Sequence, residues 1–285
     1  MRINTNVNSL NARESATNTN NRLASSLEKL SSGLRINKAS DDASGLSIAD
    51  KLRTQASSIG QSISNANSAV SLTQIADKAM AEESNIVDII KTKLLQAATA
   101  TTSSAGRDAI AKDVDKLLDQ INNIASQTNY NGITLLQASA ASADSTGALT
   151  FQTGETSSDQ ILSSGGVMAN TSGLGLTSAA GIASNGGASL TASVASALLA
   201  SVDNALDTLN SWRSDFGSTQ NQLESATRNM MTQQTNIKAA ESVIRDVDYA
   251  QESANFNKQN IIAQAGTYAM SQANSLQQNV MRLLQ

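Results

Sequence analysis

The chain of 285 residues contains no cysteine, no histidine and no proline. The first absence rules out disulfides, thiol nucleophiles and thiolate metal sites. The second removes the commonest general base and the commonest transition-metal ligand. The third leaves nothing that forces a break in a long helix. Aromatic residues make up only 2% of the chain, so Ala, Leu, Ile and Val must fill whatever interior forms. The net charge is −4, with Lys and Arg dispersed, which gives no nucleic-acid footprint. No apolar run is long enough to span a bilayer, so no membrane insertion is expected. The sequence holds no phosphate loop, no nucleophile paired with a base and no zinc-protease motif; neither enzymatic activity nor a cofactor is expected. The opening stretch MRINTNVNSLNARESA lacks the apolar core and cleavage site of a signal peptide. That reading leaves a cytoplasmic protein, or one exported by a route that reads no such peptide.

What is present is helical periodicity. Val202, Leu209, Phe216, Leu223, Met230, Ile237 and Ile244 recur at seven-residue spacing. A straight helix drifts off such a repeat, so a register held this long predicts a left-handed coiled coil, about 65 Å in length at the α-helical rise. The companion positions include Thr219 and Gln233 beside Trp212, Ala226 and Ala240. So thin a seam on so long a helix needs several neighbours. Trp212 reads as a packing residue, and Met230, Met231, Met270 and Met281 as adaptable core filler.

The N-terminal half supplies partners. Ile3, Val7 and Leu10, then Leu23, Leu27, Leu30 and Leu34, alternate spacings of four and three. Ile59, Ile63, Ala66 and Val70 continue the pattern, and Ile110, Val114, Leu117, Ile121 and Ile124 form another amphipathic run. Between them TATTSSAGRD reads as a polar loop with Gly106 as breaker. At the other end Ile262, Ala269, Leu276 and Leu283 recur every seven residues, with Gly266, Ala273 and Val280 four positions after the first three. Such a stripe belongs to a helix packed against another helix.

The middle differs. Asn131-Gly132 is a hairpin turn pair, and GALTFQTG alternates like a short strand. From about 139 to 196 Ser, Thr, Gly and Ala predominate, with little to bury. The expected fold is therefore mostly α: a long antiparallel coiled-coil hairpin with a small β and loop region at its far end. The C-terminal stripe is expected to meet the N-terminal one. Its apolar side chains are too few to offset the entropy of ordering both segments, so the two ends are expected to order only when copies of the chain pack together.

The carboxylates Asp41 and Asp42, with Asp50 nearby, invite a catalytic or cation-site reading. Helix capping and inter-subunit ion pairing with Arg35, Lys38, Lys51 or Arg53 outweigh it. Asp246, Asp248 and Glu252 lack the glycine and loop length of a calcium site, so capping or a subunit contact is again favoured.

Three stretches carry a family resemblance: SSGLRINKASDDASGLSIADKLR (31–53), IASQTNYNGITLL (124–136) and AAESVIRDVDYAQES (239–253). With the terminal NVMRLLQ they resemble bacterial flagellin, over roughly 1–137 and 198–285. The resemblance implies an inner domain of paired terminal helices, 1–44 with 245–285. It implies an outer helical domain, 45–138 with 197–244, and a short variable region, 139–196, that faces solvent and is a candidate for O-glycosylation. The self-assembly seam would be Ile3, Val7, Leu10, Leu23, Leu27, Leu30, Leu34, Ile262, Ala269, Leu276, Val280 and Leu283. Arg35, Asp41, Asp42, Lys51 and Arg53 would be the inter-subunit polar residues.

The function so implied is a subunit that self-assembles into the extracellular flagellar filament for swimming. Its partners would be copies of itself, an export apparatus and chaperone, and the filament-cap and hook-junction proteins. Many flagellins are recognised by an innate immune receptor through an Arg-bearing stretch of the outer helix. Here DIIKTKLLQ (88–96) places Ile89 at that position, with Lys93, Gln96 and Asp113 at other receptor-facing positions, which implies poor recognition. A hook–filament junction protein and a secreted coiled-coil adhesin are the alternatives.

Overall fold

The computed structural model describes residues 6–137, 149–163, 166–184 and 190–283. The chain divides into two compact units, Met1–Ser57 with Gln234–Gln285, and Ser58–Gln233.

In the first unit, α1 (Val7–Ser32) pairs antiparallel with α6 (Tyr249–Leu283). Asn6 caps α1, its side-chain oxygen accepting from Ser9 N at 3.1 Å. Gly33 ends the helix at φ +74°, its N–H donating to Lys29 O, a left-handed cap that glycine adopts without a Cβ penalty. The chain leaving α1 then lies against the short connection between α5 (Ala192–Arg245) and α6. Arg35 N donates to Arg245 O at 2.6 Å and Val247 N to Gly33 O at 3.0 Å.

The second unit is built on helices. α2 (Ala43–Ala98) has 56 residues and α5 has 54, lengths permitted by the absence of proline. The pairs Lys91–Asp203 at 2.6 Å and Arg213–Asp77 at 3.1 Å set these two helices antiparallel within the unit. α3 (Ser104–Gln127) runs back along α2, tied by Lys93–Asp113 at 3.0 Å. Gly106 does not break this helix. It lies in the first turn, where its N–H donates to the Ser103 cap at 3.2 Å. The buried face of α3 is Ile110, Ala111, Val114, Leu118, Ile121 and Ala125, so Leu118 and Ala125 do the work expected of Leu117 and Ile124, which are only half-buried.

β1 (Asn129–Tyr130) and β2 (Ile133–Thr134) form an antiparallel hairpin. Its turn residues Asn131 and Gly132 both have positive φ, 52° and 84°, as a type I′ turn requires. β3 (Thr150–Gln152) and β4 (Gln160–Leu162) form a second. The middle buries more than its composition suggests. Ala169 N donates to Leu136 O at 2.9 Å, and Thr171 N and Oγ1 both donate to Asn122 Oδ1 of α3. These bonds seat Val167, Ala169, Leu174 and Leu176 in the helical core, and α4 (Thr177–Ser184) adds Ala179.

Candidate assembly surfaces

α1 turns toward α6 a row of mostly small residues: Ala12, Ala16, Thr19, Leu23, Ser26 and Leu30. The opposing row is Phe256, Gln259, Ala263, Gly266, Met270 and Ala273, each half-buried at alternating spacings of three and four. The two helices meet as the periodicity predicts, but through a different row of α6. Ile262 is 42% and Leu276 57% exposed, and Ala269 is exposed with them. They lie on the flank of α6, so the expectation that this stripe meets α1 is corrected: only its companions Gly266 and Ala273 do so. The half-buried row carries Phe256 and Met270 as well as Ala263, Gly266 and Ala273, so large and small side chains together fill the space between the helices, and Ile262 and Leu276 fall outside it. On α1, Val7, Leu10 and Leu27 are likewise exposed, while Leu23, Leu30 and Leu34 are half-buried. Ile3 lies outside the described residues, as do the side chains of Val280 and Leu283. Ile261 and Tyr268, which the sequence reading passed over, add to the exposed apolar surface of α6.

The long seam of α5 divides. Val202, Leu209, Phe216, Leu223 and Met230 are buried, whereas Ile237 and Ile244 are half-buried.

The polar candidates are engaged within the chain. Arg35 Nη2 donates to Ile244 O at 2.6 Å. Asp41 Oδ2 accepts from Lys38 N at 3.0 Å and Asn37 N at 3.1 Å. The Lys38 backbone bond is the largest cause holding its carboxyl below the usual range. Asp42 caps α2, its Oδ1 accepting from Gly45 N at 2.9 Å. Lys38 pairs with Glu28 at 2.7 Å, Arg53 with Asp50 at 3.1 Å, and Arg245 approaches Asp50 at 3.7 Å. Lys51 is exposed. Asp248 accepts from Ala250 N and Gln251 N, capping α6.

Of the four residues expected from the resemblance to face a receptor, Ile89 and Gln96 are exposed on α2, while Lys93 and Asp113 pair with each other at 3.0 Å. Glu83 was missed. It is fully buried on α2, and neither carboxyl oxygen has a hydrogen-bond partner among the described residues. A signal for it existed: Ala69, Ala76, Glu83, Ile90 and Ala97 share one seven-residue spacing.

Among the described residues no cluster of three acidic side chains is arranged to hold a metal ion, and no helix is long and apolar enough to cross a membrane. Buried helix seams and capping carboxylates make this a predominantly helical protein of long paired helices. Comparison with known proteins gives the class its family. The model of the bacterial flagellin N-terminal helical region matches residues 3–141, and that of the C-terminal helical region matches 199–284. Flagellin of Bacillus subtilis (strain 168) is 35% identical over 100% of both chains. The flagellar filament 30.7 kDa core protein of Treponema maltophilum is 34% identical, also over 100% of both. A putative flagellar hook-associated protein from Vibrio parahaemolyticus shares the fold, with a TM-score of 0.61 over 72% of this chain and 99% of that one, at 12% identity. The chain belongs to the bacterial flagellin family. It is a structural filament subunit of short size and not an enzyme.

Proposed function

We propose that the exposed apolar rows of the α1–α6 pair carry the contacts between copies in the filament. Val7, Leu10 and Leu27 of one helix and Ile262, Tyr268 and Leu276 of the other are the residues concerned. The observation that supports this is that α6 keeps Ile261, Ile262, Tyr268 and Leu276 exposed, outside the half-buried row that faces α1. An apolar surface of this kind marks a site of association, and an open helical polymer needs contacts that repeat without closing. By their spacing in the sequence Ile3 and Leu283 are candidates to extend this row, and Val280, spaced with Gly266 and Ala273, is a further candidate.

In this reading 1–44 and 245–285 form the inner domain of each subunit. Residues 45–138 and 197–244 form the outer helical domain, and 139–196 the solvent-facing region. Arg35, Asp41, Asp42, Lys51 and Arg53 border the subunit contact, with Lys51 the freest of them to reach a neighbour. The chain leaves the cell through the flagellar export apparatus, escorted by a chaperone. It joins the filament between the hook-junction and cap proteins. With Ile89 in place of an arginine, the innate immune receptor recognises it poorly.

Seeded polymerisation of the purified full chain, beside a chain ending at Ile244, tests the reading by sedimentation and electron microscopy. Long filaments from the full chain alone are expected. Filaments from both chains would remove α6 from the assembly contact.

A further inference from the structure

Glu83 occupies a position that a charged side chain does not tolerate. Its row on α2, Ala69, Ala76, Glu83, Ile90 and Ala97, is buried throughout. The companion row, Thr73, Met80, Val87 and Leu94, is buried as well, so the carboxyl lies inside the seam and not beside it. The ion pairs that register the helices place Leu209 of α5 and Ile121 of α3 at its level. Both are fully buried members of the same core.

We infer that the unit Ser58–Gln233 takes up one proton, on the Glu83 carboxylate, when it folds, so that pH sets its folding equilibrium. The proton comes from solvent and forms one O–H bond; nothing else is made or broken. An isolated carboxylate moved from water into an apolar interior loses its hydration, and neutralises when no donor or counter-charge replaces it. Here neither oxygen finds a donor among the described residues.

The charged groups of the surrounding elements do not supply one. On α2, Lys78 and Glu82 are exposed, and Asp77 is paired with Arg213 of α5. On α5, Asp207 is exposed and Asp203 is held by Lys91. On α3, Lys116 and Asp119 are exposed and Asp115 is half-buried. Tyr130 of β1 is half-buried, and α4 and residues 166–176 carry no ionisable side chain. Burial is the one cause acting on Glu83, and it pushes the carboxyl from 4.5 up to about 8. The sign follows. The contribution of the protonated acid is fully present below about 4.5, is lost as pH rises to about 8, and is constant above that.

The test uses the full chain as monomer, with urea unfolding followed through the fluorescence of Trp212, the single tryptophan, which packs against this core. Wild type and Glu83→Gln are compared from pH 5 to pH 9. Within that window the wild-type folding constant is expected to fall up to about tenfold per pH unit relative to the variant, the slope of a single linked proton. Parallel profiles for the two chains would overturn the inference. Should Glu83→Gln fail to fold, the infrared spectrum of the folded wild type decides: a protonated carboxyl band lost on raising the pH through 8 supports the proposal, and its absence at pH 6 refutes it.

Discussion

Asn6 Nδ2 donates to the backbone carbonyl of Ala273 at 3.2 Å, across 267 residues of sequence. The residue that caps the start of α1 thereby also holds α6, so one side chain sets both the beginning of a helix and the axial register of its partner. A sliding error of one turn along this pair would break that bond and displace Thr19 and Ser26, the buried small residues of the α1 row. Asn6→Ala is expected to lower the stability of the pair by about 1 kcal/mol through the lost cap alone. Amide hydrogen exchange in the first turn of α1 and around Ala273 is the measurement; unchanged protection at both would show that Asn6 does not couple them.

Gly33 has φ +74°, and a Cβ there would stand 3.0 Å from the Tyr249 hydroxyl. Gly33→Ala is expected to cost about 1–2 kcal/mol from the left-handed backbone alone, with Tyr249 also forced to move. Gly266 is the opposite case, because a Cβ there would meet nothing within 4 Å. Gly266→Ala should stabilise α6 by about 0.5–1 kcal/mol through helix propensity. Circular dichroism melts of the two variants should move in opposite directions.

Leu209 is fully buried and Leu276 is more than half exposed. Leu209→Ala should destabilise the monomer by about 2–5 kcal/mol, as a cavity in a packed core does. Leu276→Ala should leave monomer unfolding within about 0.5 kcal/mol of wild type, yet slow seeded polymerisation if α6 carries the contact. Denaturant midpoints and sedimentation of the same two variants separate folding from assembly.

Asp41 holds the N–H groups of Asn37 and Lys38, and its carboxyl lies below the usual value of 3.8. A depressed carboxyl contributes stability above its unfolded value, and that contribution is lost as pH falls through the folded one. The turn at 37–41 should therefore loosen below about pH 3.8, seen as faster exchange of those two amides. Asp41→Asn should bring the loosening to neutral pH.

Ile89→Arg places a long cation on the exposed face of α2, close to the Lys93–Asp113 pair. A receptor-reporter assay should show wild type to be a weak agonist and the variant a stronger one. Equal potency with Arg-bearing flagellins for the wild type would refute the poor-recognition reading.

Much of this molecule is legible without coordinates. The Val202 to Met230 row proved buried because a seven-residue repeat fixes one face of a helix whatever packs against it. Asn131-Gly132 turned as a hairpin because those residues tolerate positive φ locally. Asp42 and Asp248 cap helices through bonds spanning only two or three residues, a reach that local sequence contains. The middle region was less legible. Its composition looks too polar to bury anything, yet Leu174 and Leu176 enter the core because Asn122, far off in sequence, anchors Thr171.

The sequence by itself determined that long helices flank the middle region and that Asp42 and Asp248 cap two of them, because the hydrophobic period and the capping chemistry act over a few residues. Only the tertiary structure decided which of two adjacent rows on α6 faces α1. Both rows have the same period, and the choice rests on the packing of the whole helix pair, which no local spacing encodes. It also decided that Glu83, written among polar neighbours, lies where no water reaches it. Solvation is a property of everything packed around a residue, and the elements that enclose Glu83 come from three separate stretches of the chain.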